Sequence, residues 1–96
     1  MNVTNLKAYC ISSCHSAYDA YKHQIFNSPF KGVSFNYITA CLEQLVIDVN
    51  CGVTKSIFKE CTPTEAQCLI IHNYIEEYLS ITIEKAFSFG MKRISE

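Results

Sequence analysis

Apolar and polar side chains follow a helical period along the first part of the chain. The apolar residues recur every three or four positions, at Val3, Leu6, Cys10, Cys14, Ala17, Tyr21 and Ile25. This spacing places side chains on one face of an α-helix, and polar residues such as Lys7 and Asp19 lie off that face. The pattern predicts a helix over residues 3–26, which Pro29 and Gly32 end because both disfavour continued helical geometry.

A second apolar face begins after Ser34, whose hydroxyl suits a helix N-cap. Its members are Ile38, Cys41, Leu42, Leu45, Val46 and Val49. This face predicts a helix over residues 34–50, and Gly52 then favours a stop. A short helix over residues 54–60 is expected to follow, with Phe58 facing inward.

The start of the last helix carries the clearest local signal in the sequence. Thr62 can cap the helix, Pro63 suits the first helical position, and Glu65 can return a hydrogen bond to the cap. Apolar residues then keep a helical spacing from Cys68 to Gly90. The pattern predicts a helix over residues 63–95.

That last helix is long for so small a protein. It would contain about 33 residues and measure about 50 Å, whereas a compact chain of this size has a radius of gyration of about 12 to 13 Å. We therefore expect one of two outcomes. Either the helix breaks near Ser80, where the β-branched residues of the segment 81–83 weaken helix propensity, or its second half is used for dimerisation.

The fold class that follows is all-α, a small bundle of three to four helices forming a single domain over residues 1–96. A hydrophobic content of 49% is sufficient for a core in 96 residues. Eight basic and nine acidic residues give a net charge of −1, which provides no overall field to attract nucleic acid or an anionic membrane. No apolar run approaches the roughly 18 to 20 residues of a membrane span, so no membrane partner is expected.

Six cysteines in 96 residues require an explanation. They are Cys10, Cys14, Cys41, Cys51, Cys61 and Cys68. No two of them form a CxxC pair, so we expect no metal and no cofactor. Helical phase places four of them on buried apolar faces, namely Cys10, Cys14, Cys41 and Cys68. Cys51 and Cys61 lie beside predicted connections and are the first places to look for oxidation. The start of the chain does not resemble an export signal, so reduced cysteines in a cytoplasmic protein are expected, with an oxidised secreted domain as the alternative.

Catalytic motifs are absent from the sequence. It contains no GxSxG, P-loop or HExxH pattern. Cys14 and His15 are adjacent, but neighbouring residues on a helix point about 100° apart and cannot exchange a proton directly. We expect no catalytic residues, and therefore a protein that is not an enzyme.

One segment carries a family resemblance. Residues 44–62 read QLVIDVNCGVTKSIFKECT, which resembles the helix-turn-helix unit of bacterial regulators, with Gly52 at the turn. The resemblance implies a DNA-binding regulator, and nucleic acid as its partner. The residues that would face DNA are Thr54, Lys55, Ser56 and Lys59. Asp48 departs from the pattern, because a small residue usually stands there.

The end of the chain provides the main candidate for an interface with another protein. It is rich in large apolar residues, namely Ile83, Phe87, Phe89, Met91 and Ile94. These residues either bind a partner or fold back on the core. The first interpretation predicts a non-enzymatic regulator or inhibitor that acts through a helical surface, as a monomer or a homo-oligomer. Small helical domains of this kind are typical of regulatory proteins of phages and mobile elements. The alternative function is DNA binding through residues 44–62.

Overall fold

The computed structural model describes residues 3–29, 32–60 and 62–96, with side chains from residue 5 onward and excluding that of residue 60. Within these ranges the chain forms three α-helices and no strands: α1 (Val3–Phe26), α2 (Phe35–Glu60) and α3 (Glu65–Ile94). The predicted all-α class is confirmed. None of these helices is sufficiently long and apolar to cross a membrane.

The three helices form an elongated bundle in which α1 and α3 run parallel and α2 runs antiparallel to both. At one end of the bundle the rings of Phe26 and Phe89 meet, and toward the other end Tyr78 of α3 lies close enough to Lys7 of α1 to raise the pKa of Lys7. The bundle measures 48 × 20 × 18 Å. Its radius of gyration is 15.0 Å, against about 12.5 Å for a compact chain of this length.

Most of the core comes from α1 and α2. Their large buried side chains are Leu6, Tyr21, Ile25, Ile38, Leu45, Val49, Val53 and Ile57. Among the described residues, α3 buries only Thr82, Ala86 and Gly90. The helix with the greatest length therefore contributes the smallest side chains to the centre of the bundle.

The predicted helices 34–50 and 54–60 form a single helix, α2, so the expected stop at Gly52 is wrong. Gly52 lies inside α2, and a Cβ at this position would be 3.3 Å from the Ser13 hydroxyl oxygen. The glycine allows α1 to approach closely rather than ending the helix. Val49 and Val53 on either side of it are fully buried, and their packing offsets the roughly 1 kcal/mol that glycine costs within a helix.

The N-cap of α3 is Thr64, two residues later than predicted. The Gln67 amide N–H donates to the Thr64 hydroxyl oxygen at 3.2 Å, and the Thr64 amide N–H donates to the Gln67 side-chain oxygen at 2.9 Å. This is a capping box. Thr62 and Pro63 lie outside the helix, so the box forms with the next threonine and a glutamine in place of the predicted glutamate.

No break occurs near Ser80, since α3 continues through it to Ile94. The β-branched side chains that follow Ser80 are accommodated by tertiary contacts. Thr82 is buried and donates its hydroxyl to the Tyr78 carbonyl oxygen at 2.8 Å, while Ile83 packs against the core. The expected conflict between helix length and a compact fold does not arise, because the bundle is 48 Å long.

Candidate protein-interaction surface

The predicted interface residues at the end of the chain divide into two groups. Ile83, Phe89 and Ile94 are half-buried and pack against the core. Phe87 and Met91 are exposed, at 43% and 38%. Three of the five predicted residues therefore follow the alternative of folding back on the core, and two remain available for a partner.

Aromatic and cationic contacts hold this end of α3 on α1. The Phe89 ring lies edge-on to Phe26 with centroids 4.9 Å apart. The Lys22 ammonium is 5.6 Å from the Phe89 ring centroid, and the Arg93 guanidinium is 5.0 Å from that of Phe26. Arg93 also forms an ion pair with Glu96. Cation–π and edge-to-face contacts of this kind stabilise the end of the bundle.

Two further exposed apolar residues lie near the end of α2 and the start of α3, and the sequence analysis did not predict their exposure. Phe58 and Leu69 are each 63% exposed, so the expectation that Phe58 faces inward is wrong. The signal was present in the phase of the helix, because the buried residues Val49, Val53 and Ile57 recur every four positions and leave Phe58 off their face. Beside Phe58 a shallow cavity of about 210 Å³ opens between the two helices.

Leu69 and Phe87 lie on the same face of α3, because they are 18 positions, or five full helical turns, apart. The contact between Ile38 and Gly90 places the start of α2, with its exposed Phe35, beside the end of α3. We define the α2–α3 surface by its exposed large apolar residues, Phe35, Phe58, Leu69, Phe87 and Met91. Between its two ends His72 Nε2 and Glu76 Oε1 lie 3.0 Å apart, and both side chains are exposed.

A groove of about 450 Å³ runs along the other edge of α3, against α1. We call it the α1–α3 groove; its lining includes Ile11, Cys14, His15, Tyr18, Asp19, Tyr78, Ile81 and Lys85. Burial raises the pKa of the Cys14 thiol, and interaction with the nearby Thr82 hydroxyl lowers it by less. The protonated thiol is favoured, which is the unreactive form. Cys14 and His15 share the groove without the features of an activated nucleophile.

The five described cysteines are all free thiols. Cys10, Cys14 and Cys41 are buried, as their helical phase predicted. Burial raises the pKa of Cys10 to about 11. Cys51 and Cys68 are exposed, which corrects the placement of Cys68 on a buried face. Cys61 lies outside the described residues, and within them no group of side chains is arranged to hold a metal ion.

The residues proposed to face DNA do not form one face. Thr54 lines the cavity between α2 and α3, whereas Ser56 is half-buried in a groove between α1 and α2. Lys55 and Lys59 are exposed. Since α2 is one uninterrupted helix from Phe35 to Glu60, it lacks the turn that a helix-turn-helix unit requires. The helix-turn-helix geometry expected for this segment is therefore wrong, while DNA binding by the chain stays a prediction.

Comparison with known proteins identifies no relative of this chain. No protein-family model, curated protein or solved structure matches this chain.

Proposed function

We propose that this protein is a non-enzymatic regulator or inhibitor that binds another protein through the α2–α3 surface. One observation carries the proposal. Of the residues described in the 30-residue helix α3, only three are buried, while Leu69, Phe87 and Met91 are exposed. These exposed apolar side chains of α3 provide surface for a partner.

The composition of the α2–α3 surface supports this function. Its members are three phenylalanines, a leucine and a methionine, and aromatic residues and methionine are enriched at protein interfaces. Burying one such side chain gains about 1.5 to 3 kcal/mol. The exposed His72–Glu76 pair divides the apolar area and provides polar groups that would favour one orientation of the partner.

The shape of the surface suits a helical partner. Its apolar side chains line two antiparallel helices, and the cavity beside Phe58, at about 210 Å³, can receive a single large side chain. An amphipathic helix inserts such anchors at positions spaced by three, four and seven residues. The partner we propose therefore presents an amphipathic helix with at least one large apolar anchor.

A reducing, cytoplasmic location accords with this function. The described thiols are unpaired, and Cys51 and Cys68 are exposed, where oxidising conditions would react with them. The protonated state that burial favours at Cys14 supports a role without catalysis.

Site-specific photo-crosslinking in the native cell tests the proposal. A photoreactive amino acid at Phe87 or Leu69 should capture one and the same protein, whereas the same amino acid at Ala20 should not. Ala20 is a suitable control because it is exposed on α1 and lines a groove between α1 and α2, away from the α2–α3 surface. The captured protein is then purified, and its activity is measured with and without this chain. Equal capture from all three positions, or a captured protein whose activity does not respond, would contradict the proposal.

A further inference from the structure

The edge of α3 that borders the α1–α3 groove carries a symmetric sequence pattern. Seven residues lie on it: Ile70, Tyr74, Glu77, Ile81, Lys85, Ser88 and Lys92. The other six stand 4, 7 and 11 positions before and after Ile81. Because each residue turns the helix by 100°, all six side chains lie within about 40° of Ile81 around the helix axis. We call this set the Ile81 edge. Ile81 itself is 45% exposed.

We propose that a second copy of this chain binds the Ile81 edge antiparallel, with the two Ile81 side chains on the twofold axis. In an isologous interface each contact occurs twice, once in each direction. Glu77 of each copy then faces Lys85 of the other, and both side chains are exposed in the single chain. The pattern is therefore complementary to itself in charge, around an apolar centre.

The outer residues of the Ile81 edge are also complementary to those of the second copy. Half-buried Tyr74 faces Ser88 of the second copy, and half-buried Ile70 faces Lys92. The hydroxyls of the first pair can hydrogen-bond to each other. The methylene stem of Lys92 can cover Ile70 while its ammonium stays in water.

The charges also disfavour a neighbouring register. A shift of the axis by half a residue toward the N-terminus would place Glu77 opposite Glu84 of the second copy. Like charges placed opposite one another oppose that pairing. With Ile81 on the axis, Glu84 instead faces Tyr78, whose hydroxyl can donate to a carboxylate. The proposed register therefore pairs both Glu77 and Glu84 of α3 with a cation or a donor.

The dimensions are sufficient for a small interface. From Ile70 to Lys92 the edge is about 33 Å long, and the bundle is about 20 Å wide. A face of that size approaches the roughly 800 Å² that each partner contributes to a standard interface. The α1–α3 groove, at about 450 Å³, lies beside Ile81 and can receive side chains from the second copy.

The same charges have neighbours within their own chain. Coulombic attraction to Glu77 is one of the smaller causes that raise the pKa of Lys7, after the interaction with Tyr78. Lys85 shares the groove with Asp19. An exposed ion pair contributes about 0.2 to 1 kcal/mol, so burial of Ile81, Tyr74 and Ile70 supplies most of the affinity and the charges select the register. This proposal does not rest on the proposed function, because the α2–α3 surface is a different side of α3.

Sedimentation equilibrium of the purified full chain, at concentrations from about 1 to 200 µM, tests the dimer. We expect reversible exchange between 10.9 kDa and twice that mass. Glu77→Lys and Lys85→Glu should each weaken the dimer at least about tenfold, because each creates two like-charge contacts. The double variant should return to within about threefold of the original affinity. The matched control Glu43→Lys makes the same charge change on α2 and should leave the affinity unchanged.

Disulfide crosslinking tests the same interface independently, in case the charge variants change the folding of the chain. In a chain carrying Cys51→Ser, Cys61→Ser and Cys68→Ser, the further variant Ile81→Cys should form an intermolecular disulfide on mild oxidation, because its thiols meet on the axis. Ser80→Cys should not, and circular dichroism should show the same helix content for both. A monomer at every concentration, a failure of the double charge variant to restore the dimer, or equal crosslinking from both cysteines overturns the proposal.

Discussion

The hydroxyl of Tyr21 on α1 donates a hydrogen bond to the carbonyl oxygen of Ala86 on α3, at 2.8 Å across the centre of the bundle. One turn further along α3, a Cβ at Gly90 would lie only 2.5 Å from the same hydroxyl oxygen. A large aromatic residue of α1 therefore occupies space that α3 leaves free by having small residues. This relationship explains why the residues that α3 buries are small.

Removing that hydrogen bond should destabilise the protein measurably. In Tyr21→Phe the ring remains and the donor is lost, so we expect the free energy of unfolding to fall by about 1 kcal/mol. Urea denaturation followed by circular dichroism measures the change. Tyr18→Phe is the control, since its ring can keep the contact with Lys22, and it should change stability by less than half as much. An equal decrease in the free energy of unfolding in the two variants would contradict the role assigned to the Tyr21 hydroxyl.

The same residue makes stability depend on alkaline pH. Burial, more than the neighbouring Cys41 and Tyr18, raises the pKa of Tyr21 from its ordinary 10.0 to about 12. As the pH rises, the unfolded chain releases this proton first, so the stabilisation is complete below about pH 10 and is lost as the pH approaches 12. Denaturation at a series of pH values should show a smaller alkaline decrease in Tyr21→Phe than in the original chain. A decrease of the same size in both would assign the effect to other groups.

Two glycines within helices should respond differently to alanine. Gly90→Ala introduces a Cβ 2.5 Å from the Tyr21 hydroxyl and 2.9 Å from Ile38 Cδ1. We expect it to lower the free energy of unfolding by about 1 to 3 kcal/mol, because the core there is already filled. At Gly52 the nearest atom is the Ser13 hydroxyl oxygen at 3.3 Å, and the gain in helix propensity of about 1 kcal/mol offsets that contact. Thermal denaturation of both variants should therefore rank Gly90→Ala well below Gly52→Ala, and the reverse order would contradict the packing described.

The cysteines should separate into fast and slow groups on thiol labelling. In a Cys61→Ser chain at neutral pH, Cys51 and Cys68 should react rapidly because they are exposed. Cys10, Cys14 and Cys41 should react only on unfolding, since burial raises the pKa of each thiol and restricts access. Mass spectrometry of the labelled peptides identifies the sites, with the chain in denaturant as the control. Rapid labelling of Cys14 in the native protein would reopen a role for it as a nucleophile.

The start of α3 offers a test of its N-cap. Thr64→Ala removes the hydroxyl oxygen that accepts from Gln67 at 3.2 Å, and should cost about 1 kcal/mol. Thr62→Ala, which changes an exposed threonine outside the helix, should leave stability within about 0.5 kcal/mol of the original. Chemical denaturation of the pair distinguishes the observed cap from the one that the sequence favoured.

The sequence predicted helices wherever its period was regular, because that period reflects which side chains must leave water. The face from Leu6 to Ile25 is a buried face of α1, and Ser34 accepts a hydrogen bond from the Tyr37 amide at 3.1 Å, as a cap should. The local sequence was ambiguous where one residue type can serve two structural roles. Gly52 is equally consistent with a helix stop and with a close helix contact, and only the position of Ser13 decides between them.

By itself, the sequence determined that the chain is helical and which side chains of α1 lie inside, since both follow from local periodicity. Which apolar side chains are exposed on the candidate surfaces was decided only by the tertiary structure. Phe87 and Phe89 are two positions apart, yet Phe89 packs on Phe26 and Phe87 is exposed, because the direction of α1 relative to α3 selects which aromatic ring is covered. The long α3 likewise needed no break at Ser80, because its neighbours extend with it into a 48 Å bundle. Contacts between residues distant in sequence decide which apolar groups remain in water, and local sequence does not record those contacts.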